Sequence, residues 1–474
     1  MGASSSTEQN VSREQREKCF SLNYKNTECE ALKIPDCLLG LLDHLGPSMV
    51  DLFFVTDKGG VNWVEFVRGY LKCCGRMPVS ALLKTLLRLF AATGVKAGIP
   101  LKLEFEAIDD GDYKVSGSLL PIDVLMFLWM CWTMLENLYL PDISPLVLSA
   151  VVSCAEGGSG LELWDCDISS LDVQLPAGKF LTWMLTTVPN LTECFTQFVN
   201  ARLQNFASSE QDVLESSNSS SREISPEKAC SSYLLTCGRA WGISLTIRGT
   251  ISEEILKPYF PSDSDTKDEN LLYRSSLHGK GLNRFWSNIE GYLGPLLLLI
   301  SATGDAQEDS TNIRKWTICA LTHQGFENRD VFYGHSGTLY AICPVFHAFS
   351  PSGKERNFVY SHLHPTGRVY EPHPKPVGIA FGGTNGNERV YMDEDFAKAT
   401  GFLPVEALIL EVEVWGLGGR KAREIQLSYK KREDLFTEQR RKVDLKTFAS
   451  WEDSPEKMMM DIIADPNRVQ REDR

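Results

Sequence analysis

The spacing of apolar residues changes once along this chain, near residue 230. Before that point apolar positions recur every three to four residues, the period of a helix with one buried face. Ala81 to Ala92 (ALLKTLLRLFAA) places Leu82, Leu83, Leu86, Leu87 and Phe90 on one such face. Leu119 to Leu140 and Phe180 to Leu203 repeat the pattern and few stretches alternate, so the first half is expected to be mostly α-helical. After Cys230 the apolar runs are short, β-branched or aromatic, and separated by turn residues: LLLLIS, WTICAL, LYAICPVF, FVYSHL, VGIAF, RVYM and ALILEVEVW. That spacing predicts an antiparallel sandwich. One helix is expected within it, Asn283 to Tyr292, turning Phe285, Trp286 and Ile289 toward the core. The fold class is therefore α+β: an all-α domain, then an antiparallel β-sandwich with flanking helices.

Local signals divide the chain further. Residues 1–19 read as a flexible N-terminus, 20–206 as the helical domain, 207–229 as a linker, 230–416 as the β-rich domain and 417–474 as a helical tail. The linker (ASSEQDVLESSNSSSREISPEK) has too few apolar residues to order itself. Ser225-Pro226-Glu227 then reads as a capped, proline-first helix start. Within the helical half, Val50 to Tyr70 has the rhythm of an EF-hand, with Gly59 at the sharp turn and Glu65 at the twelfth loop position. The ligand positions fail, because Phe54, Thr56 and Lys58 stand where calcium needs oxygens. A second acidic loop, Asp109-Asp110-Gly111-Asp112, lacks the glycine and terminal Glu at the required offsets. The expectation is an EF-hand-like helix pair used for packing, with no metal.

Charge and composition narrow the function. The formal net charge is −14, and a diffuse acidic surface argues against nucleic acid as a partner. The 13 cysteines include no CxxC pair, which points to buried or free thiols in a reducing compartment. The longest apolar run, Val124 to Leu135, is short of a membrane span and fits a core helix. The start, Met1-Gly2-Ala3-Ser4-Ser5-Ser6, matches a myristoylation signal that exposes the Gly2 amine. One acyl chain binds membranes only marginally, so a second contact is needed, from a protein partner or a basic patch elsewhere.

The β-rich half carries LLYRSSLHGKGLNRFWSNIEGYLGPLLLLISATG, then Val331-Phe332-Tyr333-Gly334-His335-Ser336. It continues with Gly378-Ile379-Ala380-Phe381-Gly382-Gly383, the acidic turn Asp393-Glu394-Asp395, and Glu413-Val414-Trp415-Gly416. In this order the motifs resemble the TLDc domain family, over some 180 residues. With an acylatable start and an EF-hand-like half, the chain resembles the lysosome-associated, mTOR-signalling branch of that family, the nematode EAK-7 type. The resemblance implies a binding module rather than an enzyme. It also implies V-ATPase as partner, a place on the cytosolic face of the lysosomal or vacuolar membrane, and a role in growth or oxidative-stress signalling.

Motifs that mimic catalytic sites fall short one by one. His362 and His364 share a strand face but lack a third ligand at motif spacing, and Gly334-His335-Ser336-Gly337 is not a nucleophile elbow. Gly416-Leu417-Gly418-Gly419 has Lys421 where a dinucleotide loop needs glycine, and Gly382 to Gly386 reads as a hairpin turn. No catalytic residue, cofactor, metal or small-molecule substrate is expected. Asp393, Glu394 and Asp395 are expected to form a structural turn or a partner contact. The tail adds Arg440-Arg441-Lys442 on a first helix and a second helix opened by Ser454-Pro455-Glu456 and bearing Met458 and Met459. These residues are the candidate partner-binding set, with Gly2 the candidate lipidation site. The competing expectation is a stress-protective redox enzyme, which would need a low-pKa cysteine beside a cation. Cys319 and Cys343 lie in apolar strands, which favours inert thiols.

Overall fold

The computed structural model of the chain describes residues 12–22, 35–54, 63–109, 112–135, 139–155, 164, 166–209, 233–260, 270–304, 314–335, 337–351, 357–364, 375–401, 406–452, 457 and 459–460. Gly2, Thr56, Lys58, Gly59, the Ser225-Pro226-Glu227 start, Ser336 and Met458 lie outside them.

The first half is helical, as its period requires: α1 (Arg13–Phe20), α2 (Asp36–Asp43), α3 (Leu45–Met49), a π-helical turn (Val50–Phe54), α4 (Trp63–Cys74) and α5 (Val79–Lys96). After a hairpin come α6 (Pro121–Thr133), α7 (Ser144–Cys154), α8 (Ala177–Thr187) and α9 (Leu191–Ser209). Ser12 opens α1 with a full capping box, its hydroxyl accepting from Gln15 N while its own N–H donates to the Gln15 side chain. An aromatic ladder ties the central helices together. Phe90 of α5 meets Phe127 of α6 edge-on at 5.4 Å, and Phe127 meets Phe180 of α8 at 5.9 Å. Val188-Pro189-Asn190 breaks the expected Phe180–Leu203 helix into α8 and α9, and α9 continues through Ser209, three residues into the expected linker.

One segment departs from the all-helical expectation. β1 (Lys102–Asp109) and β2 (Asp112–Leu119) form an antiparallel hairpin, with β3 (Leu175–Pro176) beside β2. Asp109 pairs with Asp112 at the end of this ladder. KLEFEAID alternates: Lys102, Glu104 and Glu106 are exposed while Leu103 and Phe105 pack against the core. Period-two patterning overrides the helical context here.

Two short helices, α10 (Cys237–Ser244) and α11 (Thr250–Leu256), lead into the sheet half. Its first strand, β4 (Leu271–Arg274), runs into the one-turn α12 (Ser275–His278) and then α13 (Leu282–Ile289). Then come β5 (Leu296–Gly304), β6 (Lys315–Thr322), β7 (Arg329–Tyr333), β8 (Thr338–Cys343) and β9 (His347–Phe349). β10 (Val359–His362), β11 (Gly378–Thr384), β12 (Asn387–Asp393), β13 (Lys398–Gly401) and β14 (Ala407–Gly416) complete it. The strands form one antiparallel order, β7-β10-β11-β12-β13-β14-β5-β6-β8-β9, with β4 also on β14. Among the described residues β13 and β14 pair through Lys398↔Leu408 and Ala399↔Ala407, and side chains from both arms of the order share an inner core. As expected, Phe285, Trp286 and Ile289 of α13 enter that core. Asn385-Gly386 makes the two-residue β11–β12 turn, Gly386 supplying φ +84°.

β5 explains its own sequence. Leu296, Leu298 and Ile300 face the inner core, while Leu297 and Leu299 face a second core on the outer side. Burial on both faces is why LLLLI runs without alternation. The outer core is continuous with that of the helical half. Trp132 of α6 meets Trp241 of α10 at 5.3 Å, Phe346 N donates to Pro145 O at 2.9 Å, and Tyr340 OH lies 3.0 Å from Thr246 Oγ1. The linker divides the chain without dividing this core.

The first helix of the tail is α14 (Gly419–Glu452). No Pro or Gly interrupts the sequence between Arg420 and Glu452, so nothing stops the first helix early. Residues 453–456, with the expected second start, are outside the described set, and Lys457, Met459 and Met460 are helical.

Candidate interaction site

The pivot of the sheet half's surface is α13, whose two ends hold the two elements singled out in the sequence. At its start, Leu282 N donates to Glu394 O at 2.7 Å. Gly281 takes φ +104°, and a Cβ there would stand 3.5 Å from that carbonyl. The acidic turn is further shaped by Asp393, whose Oδ1 accepts from Ala397 N at 2.7 Å and Lys398 N at 3.1 Å. Phe396, at φ +55°, drops its ring into the inner core beside Phe285 and Tyr273. Asp393 is therefore committed to the turn, whereas Glu394 and Asp395 are exposed.

At the other end of α13 the tail helix is anchored. Gln426 is fully buried, and its Nε2 donates to Asn288 O at 2.9 Å and Glu290 O at 3.3 Å. Lys430 Nζ donates to Asn288 O at 2.9 Å, and burial, helped by the nearby charge of Arg423, lowers its pKa. These carbonyls close α13, so a cation and an amide complement its exposed C-terminal acceptors. Tyr429 lies over Gly291, where a Cβ would come within 2.5 Å of its ring. Gly418 N donates to Tyr292 OH at 2.7 Å.

Every residue from Lys431 to Lys442 is exposed, about 18 Å of helix at 1.5 Å per residue. Leu435 and Phe436 are 59% and 58% exposed, as are Met459 and Met460 further on at 65% and 62%. Arg440, Arg441 and Lys442 all lie on this stretch, with Lys442 paired to Glu438 at 2.8 Å within the helix. From Arg420 to Lys442 there are nine Lys or Arg and four Asp or Glu, so the rod is basic on an acidic chain. The acidic turn and the basic tail stand at opposite ends of α13 rather than in one cluster.

The site most hidden in the sequence is on β14. Glu413 is 0% exposed. Its carboxylate accepts from Leu234 N at 2.8 Å, Leu235 N at 3.2 Å and Trp415 Nε1 at 3.1 Å, with Arg274 at 3.5 Å. Burial raises its pKa against the pull of those donors. Arg274 also pairs with Glu411 at 2.6 Å and lies over the Tyr233 ring. Burial acts on Glu411 too, but the Arg274 and Ser276 hydrogen bonds outweigh it and lower that pKa. This cluster clamps the chain entering the sheet half onto its closing strand. By itself EVEVWG reads as simple alternation; the available signal is a second Glu flanked by valines and a tryptophan on a strand predicted to close the sandwich.

Phe54, at the first calcium position, is 3% exposed and stacks on Phe20 at 5.3 Å, so it faces the core. Calcium titration at micromolar concentration is expected to give no stoichiometric heat; a signal lost in Glu65→Gln would contradict this. His362 and His364 rings lie 5.2 Å apart, and among the described residues no three His, Cys, Asp or Glu side chains converge as metal ligands. Burial raises the thiol pKa of Cys319 and Cys343, and takes those of Cys19 and Cys74 to about 11. A raised pKa suppresses the thiolate that redox chemistry needs.

Residues 250–418 match the sequence model of the TLDc domain. The match begins at α11 and ends one residue before α14. No curated protein matches the chain.

Proposed function

We propose that this chain, in which a segment matching the TLDc domain stands between an N-terminal helical half and a projecting C-terminal helix, is a non-enzymatic, membrane-tethered scaffold. The TLDc domain and α14 bind a large protein partner, and Gly2 carries a myristoyl group that places the protein on a cytosolic membrane face. The partner that the family resemblance implies is the V-ATPase of the lysosome or vacuole, with growth or stress signalling following from preferential binding to one of its states.

The observation that carries this reading is the form of α14. A helix held at its base by Gln426, Tyr429 and Lys430 and then exposed on every side from Lys431 to Lys442 stabilises nothing in its own fold. Its charge and its exposed Leu435 and Phe436 suit a groove in a partner. The raised thiol pKa values support binding over thiol chemistry.

The test is truncation after Lys431, which keeps the anchor and removes the rod. Capture of purified V-ATPase is expected to weaken by at least about tenfold, the loss of one hot-spot contact. Full-length capture is expected to fall with salt, because the cations are exposed. Equal capture by both forms at low salt would refute the proposal.

A further inference from the structure

We infer that the exposed face of α4 docks on an anionic lipid bilayer and supplies the second membrane contact that one acyl chain requires. The inference rests on the proposed acylation of Gly2. Helix α4 buries little: among its residues only Gly69 and Cys73 are fully enclosed. Trp63 is 76% exposed, Val64 62% and Leu71 52%. Single exposed apolar residues need no explanation, but a contiguous set does. Val64, Val67 and Leu71 fall at i, i+3 and i+7, one stripe of a helix. With Met77 they line an open groove of 460 Å³.

Charge selects the occupant. Arg68, Lys72 and Arg76, at i, i+4 and i+8, run along the same groove, and among the described residues no carboxylate lines it. All three are exposed. On a chain of net charge −14 this is a local reversal of sign. An apolar stripe edged by cations and a terminal tryptophan matches the lipid–water boundary: the apolar residues enter the acyl layer, tryptophan sits at the headgroups, and long cationic side chains reach anionic phosphates.

Position agrees with that choice. Arg16 of α1 donates from Nη1 to Phe54 O at 2.7 Å, and the Phe54 ring lies 5.7 Å from Phe66 of α4. The start of the described chain and α4 thus pack on the same π-helical turn. Gly2 precedes Ser12 by ten residues, a reach of at most about 35 Å. An acyl chain on Gly2 and the α4 face can engage one bilayer together.

The test separates the two contacts. The Gly2→Ala protein, which cannot be acylated, is sedimented with vesicles of phosphatidylcholine alone or mixed with phosphatidylserine. It is expected to bind the mixed vesicles and not the neutral ones. Arg68→Glu/Lys72→Glu/Arg76→Glu in that background should weaken binding on the order of a hundredfold, from the usual contribution of three cations at an anionic surface. Leu71→Asp should weaken it too, and both variants should keep the wild-type circular dichroism because these side chains are exposed. In acylated protein the charge reversal should leave only the weak binding to neutral vesicles due to the acyl chain. If acylated and Gly2→Ala proteins bind neutral vesicles equally, the acyl tether fails while a charge-dependent contact through α4 stands. Unchanged binding to mixed vesicles after charge reversal would overturn the α4 inference. So would a dimer dispersed by Leu71→Asp, which would make the occupant a second copy. Stronger binding of acylated Leu71→Asp to neutral vesicles would also overturn it, because the groove would then house the protein's own acyl chain.

Discussion

Glu413→Ala is expected to destabilise the protein by about 3–5 kcal/mol, the usual cost of removing one partner of a buried charged cluster. Three donors, the N–H groups of Leu234 and Leu235 and the Trp415 indole, would lose their acceptor inside the outer core. Each unsatisfied buried donor costs about 1–3 kcal/mol, and the guanidinium of Arg274 would lose one of its two carboxylates while keeping Glu411. Glu413→Gln tests the same geometry more gently. Its amide restores one acceptor oxygen but turns an NH₂ toward donors, so an intermediate loss is expected. Glu411→Ala is the control: its carboxylate is partly exposed, so water can reach the groups it leaves, and a smaller loss is expected. Equilibrium denaturant unfolding is expected to show the largest loss for Glu413→Ala, a smaller one for Glu413→Gln and the smallest for Glu411→Ala. A Glu413→Ala protein within about 1 kcal/mol of wild type would mean that water replaces the carboxylate and that the clamp is not structural.

Much of the sheet half can be read from the chain because its signals are local. LLLLIS names a strand buried on both faces, Asn385-Gly386 names a tight hairpin, and Phe285, Trp286 and Ile289 name the inner face of a helix. Each depends on residues within one or two turns of one another. The acidic turn is legible as a turn, but not the commitment of Asp393 to the amides of Ala397 and Lys398, which depends on backbone direction. Glu413 is opaque because its donors at Leu234 and Leu235 lie nearly 180 residues earlier, and no spacing rule connects them. In the helical half, the EF-hand rhythm points to the oxygens missing from the loop. The chemistry of the following helix lies instead in what it exposes: Val64, Leu71 and three cations. The hairpin β1–β2 is hidden for the opposite reason, since its alternation is plain but brief and sits between two strongly helical stretches.

Trp241→Ala is expected to cost about 3–5 kcal/mol, as for other large-to-small changes at fully buried aromatics. The site makes the loss global rather than local. Trp241 is 0% exposed and meets Trp132 of α6 edge-on, and α10 lies between the helical half and the outer sheet face. On that face Leu297, Leu299, Cys319, Leu321, Tyr340 and Ile342 are covered in the same core. A cavity there weakens both halves at once, so wild type and variant should each unfold in a single calorimetric transition, the variant at lower temperature. The segment that matches the TLDc domain depends on the same core. Cut at 250–418, it would leave out α10 and the clamp donors Leu234 and Leu235, uncovering a patch of strand side chains of the kind that drives aggregation. The cut segment is therefore expected to be insoluble, whereas a fragment starting before Tyr233 should gain solubility from the Glu413 clamp. Two resolved transitions in the intact protein, with Trp241→Ala moving only one of them, would show that the halves fold independently and that the shared core does not couple them.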